Sequence, residues 1–312
     1  MRNKTIGLAT ILALSTAVIS GTANFVSKFA VTAMKDPILF TTLKNILVAV
    51  FLIGVILIAG RLKEIRSLSR SQWLRLFAIG VIGGALPFAL FFTGLAKTSA
   101  INGALIHKTL FLWVAILAIP FLKEKMRWQQ WIGIAAVFVG VLFIGNFTGF
   151  KFGIGEAMIL LATILWAVEN IIAKKTLADV SSFTVAAARM VIGSILLAIY
   201  IFISSGFSPI LTITSGQWGF VLLTSLLLSG YVLTWYSALK RAPATYVATL
   251  LVPAALITNI LSSIFITHTI AGRDLLSAIF YSLGIFLIVF FARKTAKTAK
   301  ILNKSEMFSA KS

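Results

Sequence analysis

Long unbroken runs of apolar residues alternate along the chain with short stretches that carry charge, glycine or proline. The runs fall at about residues 6–30, 37–59, 73–96, 100–121, 130–147, 153–175, 184–204, 218–239, 245–266 and 273–292. Crossing a hydrocarbon core takes roughly 20 apolar residues in a helix, and most of the runs are that long; the fifth and seventh are shorter, with the least defined ends. Apolarity is continuous rather than alternating, which predicts helices and not barrel strands. The first run follows Arg2 and Lys4 like a signal peptide, but its length and the many further runs make it a retained first helix. The expected fold is an all-α polytopic membrane protein with ten transmembrane helices.

Composition sharpens this. Of 312 residues, 59% are apolar and 12% charged, and the mean hydropathy is +1.02. Soluble domains carry about 25% charged residues, so a soluble enzyme is excluded and no length remains for a separate soluble domain. Cysteine is absent, which removes disulfides, thiolate metal sites and thiol nucleophiles together.

The net charge of +20 could point to nucleic acid, but the 28 Lys and Arg residues sit mostly in alternate loops. One side carries twenty: Arg2 and Lys4, the run from Arg61 to Arg75, Lys123, Lys125 and Arg127, Lys174 and Lys175, Lys240 and Arg241, and the tail from Arg293 to Lys311. The other side holds Lys35, Lys97, Lys151 and Arg273. Cations are retained on the cytoplasmic side, which predicts a cytoplasmic-membrane protein with both termini inside. The basic tail, 295–312, is read as a topology determinant that contacts anionic lipid, not nucleic acid.

The chain also repeats itself. Asn24 to Lys28 matches Asn170 to Lys174, Lys44 matches Arg189, and Gln72-Trp73 matches Gln217-Trp218. Gly94 to Ala100 then matches Ala238 to Ala244, and Phe138 to Val141 matches Ser282 to Ile285, as the offset drifts from 146 to 144. Paired Asn, Lys and Gln-Trp in near-constant register are not chance in an apolar composition. Two units, 1–150 and 151–294, hold five spans each, and an odd number inverts the second. Inverted repeats of this kind mark transporters, since two equivalent packings give two access states.

With these residues in view, the sequence resembles the EamA-type members of the drug/metabolite transporter superfamily. The resemblance rests on Trp166-Ala167, the run Leu239 to Ala244, Pro253 within the ninth span, Phe121 to Lys125, and the spacings of Gly133, Gly140 and Gly284. It implies export of small organic metabolites, often driven by an ion gradient, through a cavity lined by spans three, four, eight and nine. Two departures stand out: Thr109 to Phe111 replace a mid-span proline in the fourth helix, and the acid expected after the ninth is replaced near His268.

Ionisable residues within spans are costly and are functional candidates by default. Here they are Lys44, His107, Lys108, Glu169 and Arg189. Lys44 and Arg189 either meet substrate or snorkel to helix ends; Glu169 either carries a proton, the candidate coupling ion, or pairs with Arg189. Adjacent His107 and Lys108 point in different directions, so at least one faces protein or water. Trp113, Tyr231, Trp235 and Tyr246 either pack helices or wall a cavity, with Tyr231 and Trp235 one turn apart on a shared face. Pro253 removes a backbone donor in mid-membrane and is a candidate hinge. The two histidines form no metal cluster, no catalytic motif is present, and no cofactor is implied. The cations outnumber the single acid, so the expected substrate is neutral, zwitterionic or anionic, amino acids being the leading guess. Efflux of cationic compounds, a membrane-embedded enzyme and a non-transporting sensor are the alternatives.

Overall fold

The computed structural model describes the backbone of residues 2–98, 100–144, 152–205, 210, 213–269 and 272–309. The helices are α1 (Arg2–Met34), α2 (Pro37–Ile58), α3 (Leu62–Arg66), α4 (Arg70–Gly84), α5 (Leu86–Leu95), α6 (Ala100–Lys108), α7 (Leu110–Leu122) and α8 (Trp128–Ile144). The second half holds α9 (Ile154–Thr176), α10 (Ser182–Ser205), α11 (Ser215–Arg241), α12 (Ala244–Leu251), α13 (Ala254–Ser262), a π turn (Ser263–Thr267) and α14 (Gly272–Ser309). Nine helical segments among the described residues are long and apolar enough to cross a membrane, and Trp128–Phe143 is a shorter tenth. The fifth span is thus short as expected, whereas the seventh reaches 23 residues, Ser182–Ser204. Of the basic tail, the backbone continues helically to Ser309; its side chains, with those of Arg2, Lys4 and Lys151, lie outside the described residues.

Local chemistry sets the helix starts. Asp36 accepts hydrogen bonds from the Ile38 and Leu39 amides, and Pro37 opens α2 where no amide donor is needed. The repeated Gln-Trp pairs belong to capping boxes. Ser69 and Gln72 exchange side-chain to backbone bonds at the start of α4, and Thr214 and Gln217 do the same at α11. The same code therefore begins the third span in each half.

Three spans are broken, and two of the breaks trace to proline. Pro87 separates α4 from α5 at Ala85, and Pro253 separates α12 from α13. The fourth span breaks at Thr109 without proline: the Thr109 amide bonds back only three residues, to the Ile106 carbonyl, at 3.0 Å. Thr109 stands at the repeat position of Pro253.

The halves are exchanged in the packing. α1 packs on α11, α12 and α13, and its repeat mate α9 packs on α4, α5, α6 and α7. α8 runs along α14, where Gly133 and Gly284 allow close backbone approach; a Cβ at Gly284 would lie 2.5 Å from the Gly133 carbonyl. The lower arms of the two broken spans, α7 and α12, touch. Among the described residues no comparable contact joins the upper arms, α6 and α13. α7 and α12 meet at the end that carries most of the Lys and Arg, the basic end; α6 and α13 lie toward the opposite, far end.

Candidate functional site

An inner chamber of about 260 Å³ lies where the two halves meet. Its wall joins repeat mates: Asn24 with Asn170, Lys44 with Arg189, and Asn45 with Met190. A second cavity of about 400 Å³ adjoins it between α6 and α13, sharing Asn24, His107 and Trp235. The two cavities thus adjoin along the seam between the halves.

Proline builds the chamber's floor. A helical residue at 87 would donate its amide to the Gly83 carbonyl, and Pro87 has no amide to give. The freed oxygen instead accepts from Trp166 Nε1 and Arg189 Nη2, each at 3.1 Å. Gly83 itself is required by space, because a Cβ there would lie 2.4 Å from Glu169 Cγ. Glu169, 1% exposed, accepts a 2.6 Å hydrogen bond from the Tyr236 hydroxyl. Glu169 and Arg189 therefore flank the same glycine, yet the pair makes no salt bridge, and among the described residues the salt bridge found is Arg75 to Asp179.

Several buried polar atoms at this wall have no protein partner. Asn45 Oδ1, Asn170 Oδ1, His107 Nδ1 and Arg189 Nε are all unpaired, although Asn45 and Asn170 are only 2% and 4% exposed. Leaving such groups unpaired costs about 1–3 kcal/mol each, so they call for ligand or water. Aromatic faces complete the wall: Tyr231 and Trp235 stack at 6.1 Å, and His107 meets Trp166 edge-on at 4.9 Å. Lys44 sits over the Phe40 ring at 5.1 Å.

Of the residues singled out in the sequence, Lys44, His107, Glu169, Arg189, Tyr231 and Trp235 line the chamber, and Lys108 lines the outer cavity. Trp113 is not at either cavity wall; its Nε1 donates to Thr109 Oγ1 across the helix break. Tyr246 lies at the basic end, its hydroxyl 2.7 Å from Thr10 Oγ1, beside a separate cavity of about 510 Å³. Pro253 shapes the break without lining a cavity. The wall also recruits spans one, two, six and seven beyond the expected three, four, eight and nine. Asn24, Asn45, Asn170 and Trp166 were not candidates; for Asn24 and Asn170 their pairing inside apolar spans was the available signal.

An inverted-repeat bundle with a polar midplane chamber is the architecture of a membrane transporter. Residues 7–146 and 153–290 each match the EamA-like transporter family, and the chain belongs to it. It is 27% identical over 266 residues to the uncharacterized transporter sll1164 of Synechocystis sp., spanning 79% of this chain and 74% of that one. It is 29% identical over 311 residues to the uncharacterized transporter YvbV of Bacillus subtilis, spanning 94% and 95%. A solved crystal structure superposes with a TM-score of 0.74 over 92% of this chain and 98% of its own at 16% identity, a likeness of fold.

Proposed function

We propose that this protein is a secondary transporter of the cytoplasmic membrane that exports small neutral, zwitterionic or anionic metabolites, amino acids foremost, by alternating access. The observation that carries the reading is the set of unpaired, buried polar atoms from both halves converging on one chamber astride the repeat axis. Arg189 and Lys44 offer positive charge to a substrate carboxylate, and the asparagine oxygens accept from an amine. Stacked aromatics take the apolar remainder. At the basic end α7 and α12 pack together and separate the chamber from the cavity beside Tyr246.

Both termini are assigned to the cytoplasm on the Lys and Arg distribution. A proton is the favoured coupling ion, because Glu169 is the acid at the chamber wall and its Tyr236 partner belongs to the opposite packing unit. Protonation would weaken that charge-assisted bond and let the units separate.

The test is efflux and counterflow in proteoliposomes with a panel of amino acids, nucleosides and a quaternary ammonium dye. Saturable movement of a carboxylate-bearing compound, lost in Arg189→Gln, is the expected result. Transport of the dye alone, unaffected by that substitution, overturns the substrate class.

A further inference from the structure

At the basic end the two packing units are pinned together at one turn. Lys174, on α9, donates to the Leu239 carbonyl at 2.6 Å and the Ala242 carbonyl at 2.7 Å. These are the last carbonyls of α11, and Leu239 has lost its helical donor because residue 243 is proline. Across the same turn the Glu124 carboxylate, at the end of α7, accepts from the Ala244 amide at 2.5 Å and the Thr245 amide at 3.2 Å. Left-handed Lys123 turns the chain so that Glu124 can reach. A cation thus closes a helix C-terminus while an anion closes the next N-terminus, each suited to the local dipole. Both residues come from the α9 unit and both targets from the α1 unit.

The repeat maps this clamp onto the far end. Lys174 becomes Lys28 on α1, and Leu239 and Ala242 become Leu95 and Thr98 at the end of α5. Glu124 becomes His268. In this structure the Lys28 ammonium makes none of the bonds of its mate; the hydrogen bond at Lys28 is one that its carbonyl accepts from Thr32. α9 touches α11 and α12, whereas α1 has no comparable contact with α5 or α6. The basic end is clamped, and the far end has no matching clamp among the described residues.

We propose that Lys28 is the far-end latch: when the basic end opens, its ammonium docks on the Leu95 and Thr98 carbonyls as Lys174 now docks on Leu239 and Ala242. Lys28 and Lys174 are positioning residues that exchange duty during the cycle, a step that rests on the alternating-access reading above. The far-end clamp has one cation and no carboxylate, since His268 stands where Glu124 would. The basic-end clamp holds more bonds, in keeping with the two units being joined at that end here.

The test uses spin-label pairs on the full chain in lipid nanodiscs, which the absence of native cysteine permits. Thr32 with Ala96 reports the far end, and Ala178 with Arg241 reports the basic end. Lys174→Met should shift the balance toward a far-closed, basic-open state by about tenfold, the scale on which one charge-assisted hydrogen bond acts. Adding Lys28→Met should return it toward the starting balance, and Lys28→Arg in its place should not. A far-closed state that forms in Lys174→Met and is indifferent to Lys28→Met overturns the latch while leaving alternating access intact. Distances that stay fixed in every monodisperse variant, with transport measured in the same preparation, overturn both.

Discussion

The two halves fold alike but break their helices at different places. In the first half proline falls in the third span, at Pro87, and the fourth span breaks at Thr109 without one. In the second half proline falls in the ninth span, at Pro253, and the eighth runs unbroken as α11. Tyr231, at the repeat position of Pro87, continues α11 and turns its ring into the chamber. A symmetric scaffold thus gives an asymmetric site: one half contributes a freed carbonyl at Gly83, the other an aromatic face. The charges diverge in the same way, with Lys44 matched by Arg189 and Ala23 by Glu169.

The largest effect should come from the matched cations. Arg189 is held by the Gly83 carbonyl, and its buried Nε has no hydrogen-bond partner. Lys44 sits over Phe40 with no fixed polar partner found. Arg189→Gln should lower transport of a carboxylate substrate at least about 100-fold, since losing one partner of a buried charge pair costs about 2–5 kcal/mol; Lys44→Gln, at a less tightly held cation, should lower it about tenfold, roughly 1.4 kcal/mol. Gel filtration must show folded protein in both cases. Equal losses would mean that the two cations act symmetrically.

Pro87 tests whether the freed carbonyl matters. Pro87→Ala restores an amide that can bond Gly83 across one helical turn, in competition with Trp166 and Arg189. Transport should fall about tenfold while the melting temperature changes little, because the backbone bond regained offsets the greater unfolded-chain entropy of alanine. Full activity in a straightened third span would remove the Gly83 carbonyl from the mechanism.

These contrasts also show what could be read from the chain. The spans follow from apolar runs, and the Lys44 and Arg189 pair follows from register, because both signals are local or periodic. Trp113 and Tyr246 were placed by residue type, and type does not say which face of a helix meets the cavity; Trp113 serves the Thr109 break and Tyr246 bonds Thr10. Asn45 gave no signal because its partner position is Met190, so the repeat does not mark it. The Glu124 and Lys174 clamp was hidden for another reason: each caps a helix in the other packing unit, and capping across more than a hundred residues or between units leaves no local pattern.

Thr109 offers a gentler comparison. Its backbone, at φ −74°, already suits proline, and its amide has left the α-helical ladder. Thr109→Pro would lose the bond to Ile106 and the acceptor of Trp113 Nε1, partly offset by lower chain entropy when unfolded. The expected cost is about 1 kcal/mol. Ile116→Pro, which would add a second proline one turn before Pro120 within α7, should cost roughly 3 kcal/mol or more. Thermal melts of the two side by side decide whether the break is preformed.

The smallest effect concerns the connection after the second span, where the halves differ in charge. In the first half Glu64 accepts from the Ser181 amide at 3.1 Å and the Thr184 hydroxyl at 2.9 Å, tying α3 to the start of α10. The matching stretch of the second half, residues 205–214, has no ionisable side chain. Burial alone would raise the Glu64 pKa, but the bonds from Ser181 and Thr184 and the charge of Arg61 outweigh it and hold the carboxyl below its usual range. A depressed value means that the charged form is favoured in the folded state. Its stabilisation is therefore fully present above the ordinary glutamate pKa of about 4.3 and is lost as pH falls through the lower folded value. Glu64→Gln keeps an acceptor oxygen but cannot titrate. The variant should melt slightly below wild type at neutral pH, by about 0.5 kcal/mol for a partly solvated group, and the gap should close as pH drops from about 5 to below the folded pKa. A gap that is unchanged by acid would show that the geometry of the glutamine, and not the lost charge, is its cause.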